Sequence, residues 1–158
     1  MSIRYVVIAA ILVFSTFFLS CKVKHDRSGR VSSPLVGTWQ LVSGTVIEKG
    51  DTTITHYSKG LSFIKIINDS HFAFLLHDSN GGRDSSAVFG SGGGKYDLAD
   101  SIYTEHLEYC TDRQWEGHDF VFTIMIRGDT LVQRGIEEIK SAGISRLNIE
   151  KYFRLKQE

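Results

Sequence analysis

From Leu35 to the C-terminus the chain is a succession of short runs rich in Val, Ile, Phe, Thr and Tyr, each ended by Gly, Asp, Asn or Ser. This punctuation constrains the fold more than any other feature, because it leaves no room for long helices. Strand-like runs are read at 36–48, 52–58, 61–67, 71–77, 87–98, 102–110, 118–127, 130–139 and 144–155, the fifth interrupted by glycines at 90–94. Only 135–143 has a helical look, and it is too short. Parallel neighbours need crossovers of a dozen or more residues, so consecutive antiparallel hairpins remain. Eight or nine such strands in an open sheet would expose two edges, and closing the sheet removes them. The expected fold class is therefore all-β, an antiparallel up-and-down β-barrel of eight or so strands, with an open two-sheet sandwich as the alternative. Alternation is clearest at Phe120, Phe122, Ile124 and Ile126, and Leu147, Ile149 and Phe153 are read as one apolar face of the last strand.

Ahead of this region, Arg4 precedes a run at 5–19 without charge, followed by Leu19-Ser20-Cys21. A basic start, an apolar middle and a small residue at the cut are the order of a secretory signal peptide. The run is shorter than the roughly 20 residues a spanning helix needs. Cysteine directly after the cut resembles the lipobox of bacterial lipoproteins, with Phe18 standing where that motif usually has Leu. The resemblance implies acylation of Cys21 and residence in the bacterial cell envelope, on the periplasmic side of the outer membrane. The expected organisation is a signal peptide at 1–20, a lipidated N-terminus and flexible tether at 21–34, and a barrel domain at 35–158. The tether, polar and without hydrophobic period, ends at Pro34, the sole proline; its basic residues either rest on anionic headgroups or stay solvated.

Removal of 1–20 leaves 138 residues, enough for one domain with a real core. The chain has 18 basic and 18 acidic residues, and Arg4 is the one charge in 1–20, so the remainder carries 17 against 18. Nothing in that balance suggests a nucleic-acid partner, which would demand a basic surface. With Cys21 assigned to lipid, Cys110 has no partner for an internal disulfide and reads as a half-buried strand residue.

Strand 102–110 bears ionisable groups on both faces: Tyr103, Glu105, Leu107 and Tyr109 on one, Thr104, His106, Glu108 and Cys110 on the other. The first set is more apolar and is expected to point inward. An inward Glu105 must be paired or shift its pKa upward. It is either a polar anchor or general acid in a pocket, or a structural carboxylate bonded to Arg134 or Arg154. His106 and Glu108, with His71 and His77, have ligand chemistry, but alternation does not show that they converge; neither a metal nor a cofactor is assigned. Glycines 90–94 with Lys95 miss the spacing of a phosphate loop and have no following helix, so they mark a bend or close backbone approach. The loop 78–84 alternates acidic and amide groups like a calcium loop, but Arg83 replaces the required glycine and Phe89 the closing Glu. Ser-His-Asp spacing, nucleophile elbow and His-Glu-x-x-His are all lacking, and no catalytic residue is assigned.

Gly37-Thr38-Trp39 in the first strand, with Arg154 ending the last, resembles the signature of the calycins: lipocalins, fatty-acid-binding proteins and their bacterial relatives. The runs 70–74, 92–96, 103–109 and 128–135 are similar to small exported lipocalin-like proteins of bacteria whose function is unassigned. The resemblance implies that Trp39 closes the barrel floor with Arg154 packed across it. It also implies a small, mostly apolar or amphipathic ligand inside the barrel, with the membrane reached through the lipid anchor. Expected ligand contacts are Tyr103, Glu105, Tyr109, Gln133, Phe120, Phe122 and His71, with Phe72, Ile124 and Trp39 adding to the wall. The alternatives are a filled barrel that serves a structural or protein-binding role in the envelope, or a calycin-type isomerase or dehydratase using Glu105 and a tyrosine. An enzyme ranks behind a non-enzyme.

Overall fold

The computed structural model describes residues 33–57, 60–85 and 87–156. Its first strand, β1 (Gly37–Glu48), shares one side between two neighbours. Gly37–Gln40 pair with β3 (Leu61–Ile67), whereas Ser43–Glu48 pair with β2 (Asp51–His56). The two short strands thus occupy one place in the wall. From β3 each strand pairs antiparallel with the next: β4 (His71–Asp78), β5 (Phe89–Ala99), β6 (Ile102–Cys110), β7 (His118–Arg127), β8 (Thr130–Ile139) and β9 (Ile144–Arg154). β9 returns to β1, from Trp39 opposite Arg154 to Ile47 opposite Leu147. The result is a closed, eight-stranded, antiparallel up-and-down barrel. Among the described residues there is no α-helix, only 3-10 turns at Arg113–Trp115 and Lys140–Ala142.

The strand runs read from the sequence match these elements to within a residue or two, except that the fifth begins at Phe89 and continues through its glycines without a break. The predicted signal peptide, Cys21 and tether residues 22–32 lie outside the described residues. Ser33 and Pro34, assigned to the tether, belong to the fold: Val36 N–H donates to the Ser33 carbonyl, and the next residue, Leu35, is wholly buried.

One end of the barrel is packed solid. Trp39, Leu41, Ile67, Phe72, Tyr103, Phe122, Ile124, Leu131 and Tyr152 are buried there together with Leu35. The Trp39 indole N–H donates to the Leu35 carbonyl at 2.8 Å, and the Arg154 guanidinium lies 4.0 Å above the Trp39 ring centre. Arg154 also donates to the Val36 carbonyl at 2.8 Å and to that of Pro34. Gly37 sits at φ +148°, where a Cβ would strike the Arg154 guanidinium. Glycine at 37, Trp at 39 and Arg at 154 therefore form one interlocked unit that ties both ends of the domain together.

Two register shifts aim the side chains of the other end. In β1 the extra residue Val42 falls between Leu41 and Ser43, so the inward series passes from Trp39 and Leu41 to Gly44 and Val46. In β6 the extra residue Glu108 lies opposite Gly93 and Gly94. A Cβ at Gly94 would run into the His106 carbonyl oxygen, and one at Gly93 into that of Phe72. The glycine run, read as a bend, instead lies in a continuous strand where neighbouring backbone comes close.

The last strand departs from expectation. Asn148, Glu150 and Tyr152 point inward, whereas Phe153 is half exposed outside and Leu147 lies on the outer wall. Alternation assumes an apolar interior, and here the interior beside β9 is polar.

Candidate functional site

Beyond the packed end the barrel is hollow. A cavity of about 470 Å³ opens at the end remote from Trp39, between the second half of β1, β2 and the turn carrying Trp115. Its volume falls within the roughly 300–1,000 Å³ typical of small-molecule sites.

The floor is built around Lys65. In β3 the inward series is Phe63, Lys65 and Ile67, and Lys65 is only 2% exposed. Its ammonium reaches across the lumen to two distant strands. Nζ lies 2.6 Å from Glu105 Oε1 on β6 and donates to Gln133 Oε1 on β8 at 3.2 Å. Glu150 Oε2 on β9 is 4.0 Å away and accepts from the Tyr152 hydroxyl at 2.7 Å. The rings of Tyr152, Phe72 and Tyr103 stand 5.3, 5.7 and 6.0 Å from Nζ. Burying an ion pair costs desolvation that must be returned by short contacts and hydrogen bonds. Here the ammonium gains an ion pair, an amide oxygen and three aromatic rings.

These surroundings set the protonation states. Burial pushes the Glu105 carboxyl upward, outweighing the attraction of Lys65. For Lys65, burial works against the charge, but Glu105 and Glu150 reverse it and raise the group above its ordinary value. Burial followed by the charge of Glu105 raises the Tyr103 phenol steeply, and burial and Glu150 do the same for Tyr152. The Tyr103 hydroxyl, fully buried, makes no well-formed hydrogen bond among the described residues.

Higher up, a second polar group lines the wall. Glu137 accepts from Arg146 Nε at 2.6 Å and from the Asn148 amide at 2.8 Å. The Arg146 guanidinium covers the Trp115 ring at 4.7 Å, and Trp115 packs against Phe120 at 5.6 Å. Across the cavity, Phe63 stacks on Phe74 at 5.6 Å and meets Tyr57 edge-on at 5.7 Å. The chamber thus has aromatic walls, a charged floor and one arginine near its mouth.

Of the residues expected at a ligand, Glu105, Gln133, Phe120 and Phe122 line this chamber. Tyr103 is buried just beneath it, and Phe72, Ile124 and Trp39 belong to the packed end. Two placements are corrected. Tyr109 is 68% exposed on the outer wall, because the extra residue at Glu108 reverses the phase of β6 and turns half-buried Cys110 inward instead. His71 is also outside, its ring bonded to the Ser70 hydroxyl at 2.8 Å, since Phe72 takes the inward position of β4. Glu105 is paired, but with Lys65 rather than with Arg134, which is exposed, or Arg154, at the packed end. His106 lies between Asp119 at 2.7 Å and Asp97 at 3.0 Å on the outer face. Asp78 accepts from the N–H groups of Gly82, Asn80 and Val88.

Sequence reasoning missed Lys65, Glu137, Arg146, Asn148 and Glu150. A signal existed for Lys65: it is the one charge in an otherwise apolar run, in phase with Phe63 and Ile67. No such signal marks Glu137 or Glu150, which sit in strands rich in charge on both faces.

No family model matches the sequence, and no curated protein is similar to it. One similar solved structure is an uncharacterized protein from Bacteroides eggerthii DSM 20697, with 10% sequence identity and a TM-score of 0.44. The likeness covers 76% of this chain and 98% of that one.

Proposed function

We propose that this chain is an exported, lipid-anchored, lipocalin-like barrel of the bacterial envelope that holds one small amphipathic ligand in its open half. The supporting observation is the chamber itself, with aromatic side chains around its wall and a few convergent polar groups at its floor. Preformed apolar clefts with a small number of placed polar groups are the usual form of a ligand site. The interlock of Gly37, Trp39 and Arg154 supports the calycin reading, and the order Arg4, apolar run, Ser20-Cys21 supports export and acylation. The filled-barrel alternative has less support, because about 470 Å³ of the interior is unfilled.

The test uses N-phenyl-1-naphthylamine, a neutral apolar probe that brightens out of water. It should bind saturably at one site per chain and quench Trp115, one of the chain's two tryptophans. Leu107→Trp places an indole into the chamber and should weaken binding by about tenfold or more, the scale of 1.4 kcal/mol. A matching Phe153→Trp change on the outer wall should leave it unaltered. Equal binding by both variants would put the probe on the outer surface and contradict the proposal.

A further inference from the structure

The geometry points to an organic cation as the ligand of this chamber: a compact apolar body carrying a protonated or quaternary amine, seated beside Glu150 among Tyr57, Phe63 and Phe74. This inference rests on the interior-binding reading and adds the sign of the ligand's charge.

The charges lining the cavity do not balance. Four carboxylates, Glu105, Asp112, Glu137 and Glu150, face two cations, Lys65 and Arg146. Both cations are already engaged. Lys65 is in contact with Glu105 at 2.6 Å, and Arg146 is bonded to Glu137 at 2.6 Å with its face against Trp115. Asp112 caps the turn at the rim, accepting from the backbone and side chain of Gln114. Glu150 shares its nearest cation, Lys65, with Glu105, which holds it much more closely. Among the described residues its one hydrogen bond comes from the Tyr152 hydroxyl, and Lys65 stands 4.0 Å off, beyond hydrogen-bond reach. Its side chain keeps 16% of its exposure, which opens into the cavity.

The walls next to this carboxylate suit the same charge. Phe63 lies 5.7 Å from Tyr57 and 5.6 Å from Phe74, and all three rings line the chamber. Aromatic faces attract an ammonium through their quadrupole, and rings assembled around a carboxylate are a recurrent receptor for it. An anionic headgroup would instead meet like charge, because four carboxylates line the chamber against two cations. Arg146, the one candidate to receive an anion, has its charge matched by Glu137.

Displacement of N-phenyl-1-naphthylamine by three matched amphipaths, octylammonium, octanol and octanoate, tests the sign. Octylammonium should displace the probe about tenfold more tightly than octanol and octanoate weakest, and Glu150→Gln should shrink the octylammonium advantage to about threefold or less. The wild-type ranking stands by itself should the variant fold poorly. Equal displacement by all three, or octanoate strongest, would overturn the inference while leaving interior binding intact. Failure of the neutral probe itself to bind would remove the parent reading, and this inference with it.

Discussion

Replacing Lys65 with Met should leave Glu105 buried without its cation, and stranding one partner of a buried pair costs about 3–5 kcal/mol at neutral pH. The pH dependence has a defined sign. Glu105 is already raised above its ordinary value near 4.5, and loss of Lys65 raises it further. A carboxyl raised on folding contributes stability that is present below its unfolded value and lost as pH rises through its folded one. The destabilisation of Lys65→Met, read from urea unfolding, should therefore be small near pH 4.5 and largest at pH 7–8. A deficit independent of pH would mean that Glu105 is not the group left stranded. At this scale the sequence was readable where phase and chemistry agreed: Glu105 and Gln133 fall inward by alternation, and Trp39 and Arg154 meet as expected. It was misread at Tyr109 and His71. Tyr109 follows an unseen extra residue, and His71 stands one place before the phenylalanine that fills the lumen.

The strands themselves follow from punctuation, and their pairing from the shortness of the links between them. Hairpin turns such as Lys49-Gly50, both at positive φ, leave consecutive strands no choice but to fold back on each other. Register shifts were harder to see, because a bulge has no composition of its own unless a glycine marks the strand opposite. The glycine run in β5 is such a mark. Gly94→Ala would drive a methyl into the His106 carbonyl oxygen, and relief by moving backbone should cost about 3 kcal/mol or more. At Gly90 the nearest atoms are Leu76 carbons at 3.8 Å, so Gly90→Ala should be neutral or stabilise by up to about 1 kcal/mol. Thermal unfolding of the pair separates the positions, and equal effects would mean that β5 and β6 do not approach as closely as described. The face of β9 illustrates the converse limit. Leu147 and Phe153 look like a core stripe, but the lumen beside them is occupied by Asn148 and Glu150, so the apolar set turns outward.

The whole molecule divides its barrel between two tasks. At one end apolar side chains and the Gly37–Trp39–Arg154 interlock close the wall, and the described chain enters the fold there through Ser33 and Leu35. At the other, polar groups take lumen positions that a core would give to leucine or isoleucine, and a cavity remains. Carboxylates and cations in such positions destabilise a fold relative to hydrocarbon of the same volume. The proposed ligand would meet them next to the unfilled space. Native mass spectrometry of the protein purified from the cells that make it tests this proposal directly. The account predicts a population heavier than the covalent chain by one non-covalently held small molecule, released on gentle activation. The mass of the covalent chain alone, under conditions that preserve other protein–ligand complexes, would contradict it.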